Sequence, residues 1–499
     1  MLGALLPAEV SDKHFKNLLG ISGDPIAAQK AILEASKTNI RIKNPFGYGR
    51  AFTHNLTVEQ INELKSLYEK YLGTDSPMVL DPMAGGGSIP LEALRVGARV
   101  VAAEYNPLAY VILKATLEYP AKFRLALAKE IERWGEWVNE KARSYLNEFY
   151  PRDKNEHVLA YIWARTVRCP SCNLTVPLSP NWWLSRQKGR KERIAVRLKA
   201  PHQGRGDEVA FEIIDTANHP SLDPNKGTVA KGKASCPRCN NTIRDDYIKT
   251  EAQKGRMGHQ LYAVFIKRKT GLKKWEKTFR LPTKEDLEAY QKAIPIVEKG
   301  AFLGAEQIPR ESFPEGSDNR PLWYGMPTWD KFFNARQLLT HATYLYYILE
   351  AKKRIIDKYS GEDHKRAIAV VTYLAFILDK SLDRDSILAR WEQSRRIIVN
   401  TFDRHDFAFT WSYGEMNLIV EDLGFEWAVE QIVDAYKGLC GLLEGVDASN
   451  VQVCLGSSTD LSYVEQPVDT VVVDPPYYAN VMYGELSDFF YVWMKRILG

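Results

Sequence analysis

The stretch "MVLDPMAGGGSIPLEALRVGARVVAAEY" (78–105) constrains the fold of this chain more than any other. An apolar strand over 78–81 runs into a glycine loop, a helix covers 88–96, Gly97 makes a turn, and a second strand occupies 99–103. Two strands joined through a helix pair in parallel, and a parallel sheet needs helices over both faces. The expected class is therefore α/β with a doubly wound sheet. Asp81 closes the first strand, and Gly85, Gly86 and Gly87 open the helix. Lacking Cβ atoms, these glycines let backbone amides approach a ligand lying over the strand ends. The loop has no Lys-Ser/Thr pair, which argues against a phosphate-cradling P-loop. Its AGGGS spacing also departs from GxGxxG, although a dinucleotide uses similar geometry. Glu104, just past the second strand, is placed to accept hydrogen bonds from ribose hydroxyls. The plain alternative is a tight turn followed by a surface glutamate.

Periodicity and turn residues organise the remainder. Residues 1–75 read as mostly helical, with "TVEQINELKSLYEKYLG" (57–73) an amphipathic helix closed by Gly73. A long helix is expected over 121–149, short β-like runs over 155–280, and a Pro-punctuated linker over 305–330. Helices follow at 331–358, 363–379, 384–396 and 426–443, then strands at 450–455 and 468–473. Four blocks result: 1–150, holding N-terminal helices and the glycine-loop half of a core; 151–280, a basic insert; 281–445, a linker and helical insert; and 446–499, the second part of the core.

"RCPSCN" (168–173) and "SCPRCN" (235–240) place Cys169, Cys172, Cys236 and Cys239 in matched Cys-x-x-Cys knuckles. Four thiolates suit a tetrahedral structural zinc and leave no open position for catalysis. Reactive dithiols and unliganded core cysteines are the alternatives. Cys440 and Cys454 read as core residues. Six cysteines in 499 residues do not suggest a secreted disulfide scaffold. The longest apolar run, "AIAVVTYLAFIL" (367–378), is too short to span a bilayer, and the N-terminus lacks a signal-peptide pattern. No membrane partner and a cytoplasmic location are expected. Between Arg186 and Arg280 there are 23 Lys+Arg against 10 Asp+Glu, a local +13, which leaves −8 for the rest of a +5 chain. Such a block suits a polyanion-binding surface or a merely solvated lysine-rich one.

The last strand ends in "VVVDPPYY" (471–478). Together with "LDPMAGGGSIPLEA" it resembles the S-adenosylmethionine-dependent methyltransferases that act on exocyclic amines of nucleobases. The two knuckles between these motifs narrow the likeness to the adenine-specific DNA methylases containing a Zn-ribbon, which carry the domain of unknown function 1156. The phrases "FFNARQLLTHATYL" (332–345) and "FTWSYGEMNL" (409–418) resemble intermotif segments of that family. The resemblance implies a Rossmann-like class I methyltransferase core with a large β-rich zinc-ribbon insert and a helical insert. It implies S-adenosylmethionine held by Asp81, Pro82, Ala84, Gly85, Gly86 and Gly87, with Glu104 on the ribose and Asp460 near the adenine ring. It implies Asp474 and the Pro475 carbonyl as acceptors for the target amine, Pro476 fixing the corner, and Tyr477 stacking on the base.

Adenine N6 in DNA is the expected target, and cytosine N4 presents the same N–H geometry to this corner. An RNA guanine-N2 methyltransferase is the nearest rival, and a non-catalytic zinc-ribbon nucleic-acid-binding protein is another. Glu415 and Asn417 are candidates to face the substrate or to serve the core. "NPFGYGRAFTH" (44–54) is a candidate cover for the cofactor. One helix follows the DPPY segment, which leaves open a truncated chain, a shortened sheet, or completion of the sheet by a second polypeptide.

Overall fold

The computed structural model describes all residues except 22, 39, 41, 43–45, 47, 50–53, 187–192, 203–204, 272–273, 300–306, 317, 360, 362, 422 and 479. The chain forms two compact units, Met1–Leu125 with Tyr436–Pro476, and Ala126–Ala435 with Tyr477–Gly499. Among the described residues, no helix is long and apolar enough to cross a membrane.

The first unit is mixed α/β. The glycine-loop strand (Met78–Asp81) pairs in parallel with Arg99–Glu104 on one side and Thr470–Val471 on the other, and Val451–Leu455 extends the sheet beyond Arg99–Glu104. In chain order the spatial sequence is third, second, first, fourth, so the direction of winding reverses at the first strand. The register Leu80↔Val101 and Leu80↔Val471 sets the three strand ends side by side. Val79, Val100, Ala102, Leu94, Leu113 and Leu117 form the core against Leu64 and Tyr68 of the helix Val58–Leu72. That helix starts at a capping box between Thr57 and Gln60, and it stops at Gly73 in the left-handed region (φ 75°).

The expected helix over 121–149 is interrupted. Arg124 takes φ 51°, and its guanidinium donates to the carbonyls of Leu443 (2.6 Å) and Val446. The helix proper then runs Ala128–Leu146.

In the second unit a long strand, Glu156–Arg168, is the spine of an antiparallel sheet. One edge pairs with Gly258–Lys269, which pairs in turn with Trp275–Arg280; the other edge takes Ser412–Met416 and then Thr175–Leu178. Helices Ala335–Lys358 and Asp363–Leu382 carry the largest buried apolar faces. The closing helix Tyr483–Leu498 belongs to this unit, with Phe489 5.7 Å from Phe333 and Lys352 Nζ donating to the Ile497 carbonyl at 2.5 Å.

The helix expected over 384–396 is absent. Its place is taken by turns and a short hairpin, Trp391–Glu392 against Ile397–Ile398. Tertiary contacts override the helical pattern: Trp391 packs edge-on to Phe265 at 5.0 Å, Asp385 accepts from the Met416 amide at 2.7 Å, and Ser386 bonds Thr401 at 2.8 Å.

Candidate functional site

In the first unit, three carboxylates meet where the sheet reverses direction. Asp81 ends the central strand and is 1% exposed. Burial is the leading cause that lifts its pKa to about 6; the Met83 amide, 3.1 Å from Oδ1, opposes the shift, and the charges of Glu104 and Asp474 add to it. Asp474 follows the neighbouring strand, whose continuation is fixed by the Val472 amide donating to the Leu80 carbonyl at 3.0 Å. Glu104 ends the strand on the opposite side. Its Oε2 accepts from the Gly85 amide at 2.9 Å, and its Oε1 accepts from Tyr105 (2.8 Å) and Asn106 (3.2 Å).

Glu104 is thus a loop anchor as well as a strand-end acid, which the spacing did not reveal. A carboxylate offers about four acceptor sites, so the three amides leave roughly one for a ligand hydroxyl.

The glycines divide the work. Gly85 and Gly87 adopt φ 51° and 88°. A Cβ on Gly87 would lie 3.0 Å from Leu113 Cδ2 and 3.1 Å from Thr116 Oγ1, so Gly87 lets the glycine loop pack closely on the helical segment that follows the second strand. Among the described residues, a Cβ on Gly85 or Gly86 would meet nothing within 4 Å. These two residues border open space and present bare backbone to it. Pro82 and Ala84 are buried beneath the loop, and the Ala84 amide donates to the Ala103 carbonyl at 3.0 Å.

Asp460 is exposed on the loop after Val451–Leu455, and its Oδ1 accepts from the Ser462 amide at 3.0 Å. The Gly456 amide ties the start of that loop to the Glu104 carbonyl at 3.1 Å. Among the described residues, no recorded interaction joins Asp460 to the other three acids. Asp474, Pro475 and Pro476 are exposed, as are Tyr477 (58%) and Tyr478 (98%).

The second unit holds a candidate metal centre. The thiol sulfurs of Cys169, Cys172, Cys236 and Cys239 all lie within 4.8 Å of one another. Cys169 Sγ is 3.7 Å from Cys239 Sγ, and Cys172 Sγ is 3.6 Å from Cys236 Sγ. Disulfides are near 2.0 Å, whereas the edge of a tetrahedron with metal–sulfur bonds of about 2.3 Å is roughly 3.8 Å.

Both knuckles are built alike. The Asn173 and Asn240 amides each donate 2.9 Å back to the carbonyl of the first cysteine, and both asparagines sit in the left-handed region (φ 61° and 60°). Val167, Leu174, Val176, Ala234, Ile243 and Ile248 supply a small core around them. Arg238, unmarked by the sequence pattern, donates to the carbonyls of Pro201 (3.0 Å), Cys172 (3.4 Å) and Gly206.

Glu415 and Asn417 belong to the core. Glu415 is fully buried against Arg336 and accepts from Trp163 Nε1 at 2.6 Å and Asn334 Nδ2 at 3.0 Å. Asn417 Nδ2 donates to the Val158 carbonyl at 2.9 Å. Most of 44–54 lies outside the described residues. Comparison with family models, curated proteins and solved structures returned no match.

Proposed function

We propose that the chain is an S-adenosylmethionine-dependent amino-methyltransferase acting on DNA, at adenine N6 or cytosine N4. The observation that carries this reading is the meeting of Asp81, Glu104 and Asp474 around the open Gly85–Gly86 backbone. Ligands of open parallel sheets bind outside the carboxyl ends of the strands where the winding reverses. The order third, second, first, fourth is that of the first half of a Rossmann-like class I core.

The residues present fit the cofactor. Gly85 and Gly86 give its methionine part a close approach, Glu104 keeps an acceptor site for a ribose hydroxyl, and buried Asp81 offers negative charge to a cation. When bound, the cofactor supplies an electrophilic methyl group on a good leaving group, so no covalent enzyme intermediate is needed.

The chain's own task is to make a poor nucleophile react. The lone pair of an exocyclic amine is delocalised into its ring. Asp474 and the Pro475 carbonyl accept the amine's N–H bonds and favour the electron-rich, pyramidal nitrogen of the transition state. Pro475 and Pro476 fix the backbone so that the carbonyl faces outward. Exposed Tyr477 provides a stacking face for a base that has left the duplex. In the second unit we assign zinc to the four cysteines, in a structural role.

The test is transfer of a radiolabelled methyl group to duplex DNA and to total tRNA, with Asp474→Ala as control. Label on DNA that vanishes in the variant supports the proposal. Label on tRNA alone replaces it with the guanine-N2 reading, and no transfer to either favours a binding protein.

A further inference from the structure

Ion pairs neutralise part of the basic block between Arg186 and Arg280. Arg197 pairs with Glu212 at 3.0 Å, Arg244 with Asp246 at 2.7 Å, Lys249 with Asp245 at 2.7 Å, and Arg256 with Glu251. The hairpin formed by Gly258–Lys269 and Trp275–Arg280 shows where neutralisation stops. On one face Arg268 lies opposite Glu276 and pairs with Glu156 at 3.0 Å, and Arg280 pairs with Asp286 at 2.5 Å.

On the other face Lys267 lies directly opposite Lys277, and His157 of the adjoining strand lies opposite Lys267. Like charges set directly across a sheet destabilise it. Among the described residues, neither lysine has a carboxylate within ion-pair distance. Arg396 joins them: it is a non-glycine residue at φ 55°, and its Nη1 donates to the Lys277 carbonyl at 3.1 Å. Burial first, then the charges of Arg396 and Lys267, hold the Lys277 pKa below the usual lysine value. Trp275 lies on the same face, 4.6 Å from the His157 ring, with Lys267 Nζ 5.7 Å from its ring centre.

We propose that Lys267 and Lys277 form a pair that grips the phosphates of a nucleic-acid strand, with Trp275 beside it as a stacking face for a base. This assignment rests on the nucleic-acid reading above and names the surface that holds the backbone. Repulsion tolerated in the free protein is relieved when phosphates enter, and each phosphate neutralised releases counterions. Alternating cations and an aromatic ring suit a single or splayed strand better than a small anion.

The test is fluorescence anisotropy of the full chain with labelled duplex DNA, labelled single-stranded DNA and total tRNA across a salt series. Thermal unfolding is read in parallel. Lys267→Gln/Lys277→Gln is expected to weaken binding at least tenfold at low salt. The slope of log affinity against log salt should become shallower by roughly 2, about 0.9 for each lost phosphate contact. The thermal midpoint should stay level or rise, because a repulsive pair has been removed. Lys267→Arg/Lys277→Arg should keep both affinity and slope, and Lys353→Gln/Lys365→Gln, on another element, should leave both unchanged.

Wild-type affinity and slope in the glutamine variant would overturn the assignment, as would a fall in midpoint that the arginine variant repairs without restoring binding. Binding of anionic vesicles but of no nucleic acid would overturn it too. Loss of methyl transfer with this binding intact would remove the enzymatic reading and leave the surface standing.

Discussion

The cysteine cluster and the strand-end carboxylates are both built from acidic side chains, yet they handle those side chains in opposite ways. At the cluster, four thiols sit on two knuckles with the same backbone hydrogen bonds, packed on a shared apolar core. At the strand ends, Asp81, Glu104 and Asp474 come from three different strands, Glu104 and Asp474 both act against the charge of Asp81, and among the described residues a Cβ on Gly85 or Gly86 would meet nothing within 4 Å. A site that closes on itself contributes to folding; a site left electrostatically strained and sterically open is arranged for something that arrives later.

The largest effect should come from opening the closed site. Cys236→Ser removes a fully buried ligand, while Cys440→Ser alters a buried thiol outside the cluster. Loss of a structural metal costs several kcal/mol. For a unit of this size that lowers the unfolding midpoint by on the order of 10 °C. The first variant is expected to purify without zinc and melt early, and the second to keep one metal per chain by elemental analysis. Equal metal content in both would place the ion elsewhere and undo the contrast.

A middle-sized effect separates two glycines of the open site. Gly87→Ala places a Cβ at φ 88° and 3.0 Å from Leu113, and it should cost about 1–2 kcal/mol for the left-handed conformation alone. Gly86 has no positive φ and meets nothing within 4 Å, so Gly86→Ala should be neutral within about 0.5 kcal/mol. Calorimetry with S-adenosylmethionine should then show weakened binding in the stable Gly86→Ala protein. If Gly86→Ala binds normally, the open space beside that residue is not where the ligand lies.

This division also marks what the sequence could convey. Local signals were legible: the capping box at Thr57 with Gly73, the strand–glycine–helix unit at 78–95, and the paired knuckles each reside within a few residues. What depended on distant partners was not. The stretch 384–396 has helical composition, but Trp391 is drawn into a core with Phe265 and Phe279, and the backbone follows it into a hairpin. The local +13 suggested a broad cationic surface. Cross-strand pairs such as Arg197–Glu212 neutralise part of it. Glu104 was readable as an acid at a strand end, but not as the acceptor for three amides.

An effect of comparable size, a pH dependence, bears directly on the charge strain of the open site. The pKa of Asp81 is raised to about 6 from the ordinary aspartate value of 3.8. A carboxyl raised by folding binds more protons in the native than in the unfolded state between those values, so stability falls as pH rises from about 4 to about 6. The loss is complete above that window, and Asp81→Asn should remove it. The variant is expected to gain roughly 1–2 kcal/mol over wild type at pH 7 and nothing at pH 3.5, by denaturant unfolding. A cation bound beside Asp81 reverses the sign, because it favours the ionised carboxylate. Affinity for the cationic cofactor should therefore rise through pH 6 in the wild type and stay flat in Asp81→Asn. Affinity for the demethylated, uncharged sulfide should change much less in either protein. If sulfonium and sulfide show the same pH profile, Asp81 does not face the reacting charge, and its strain serves the fold alone.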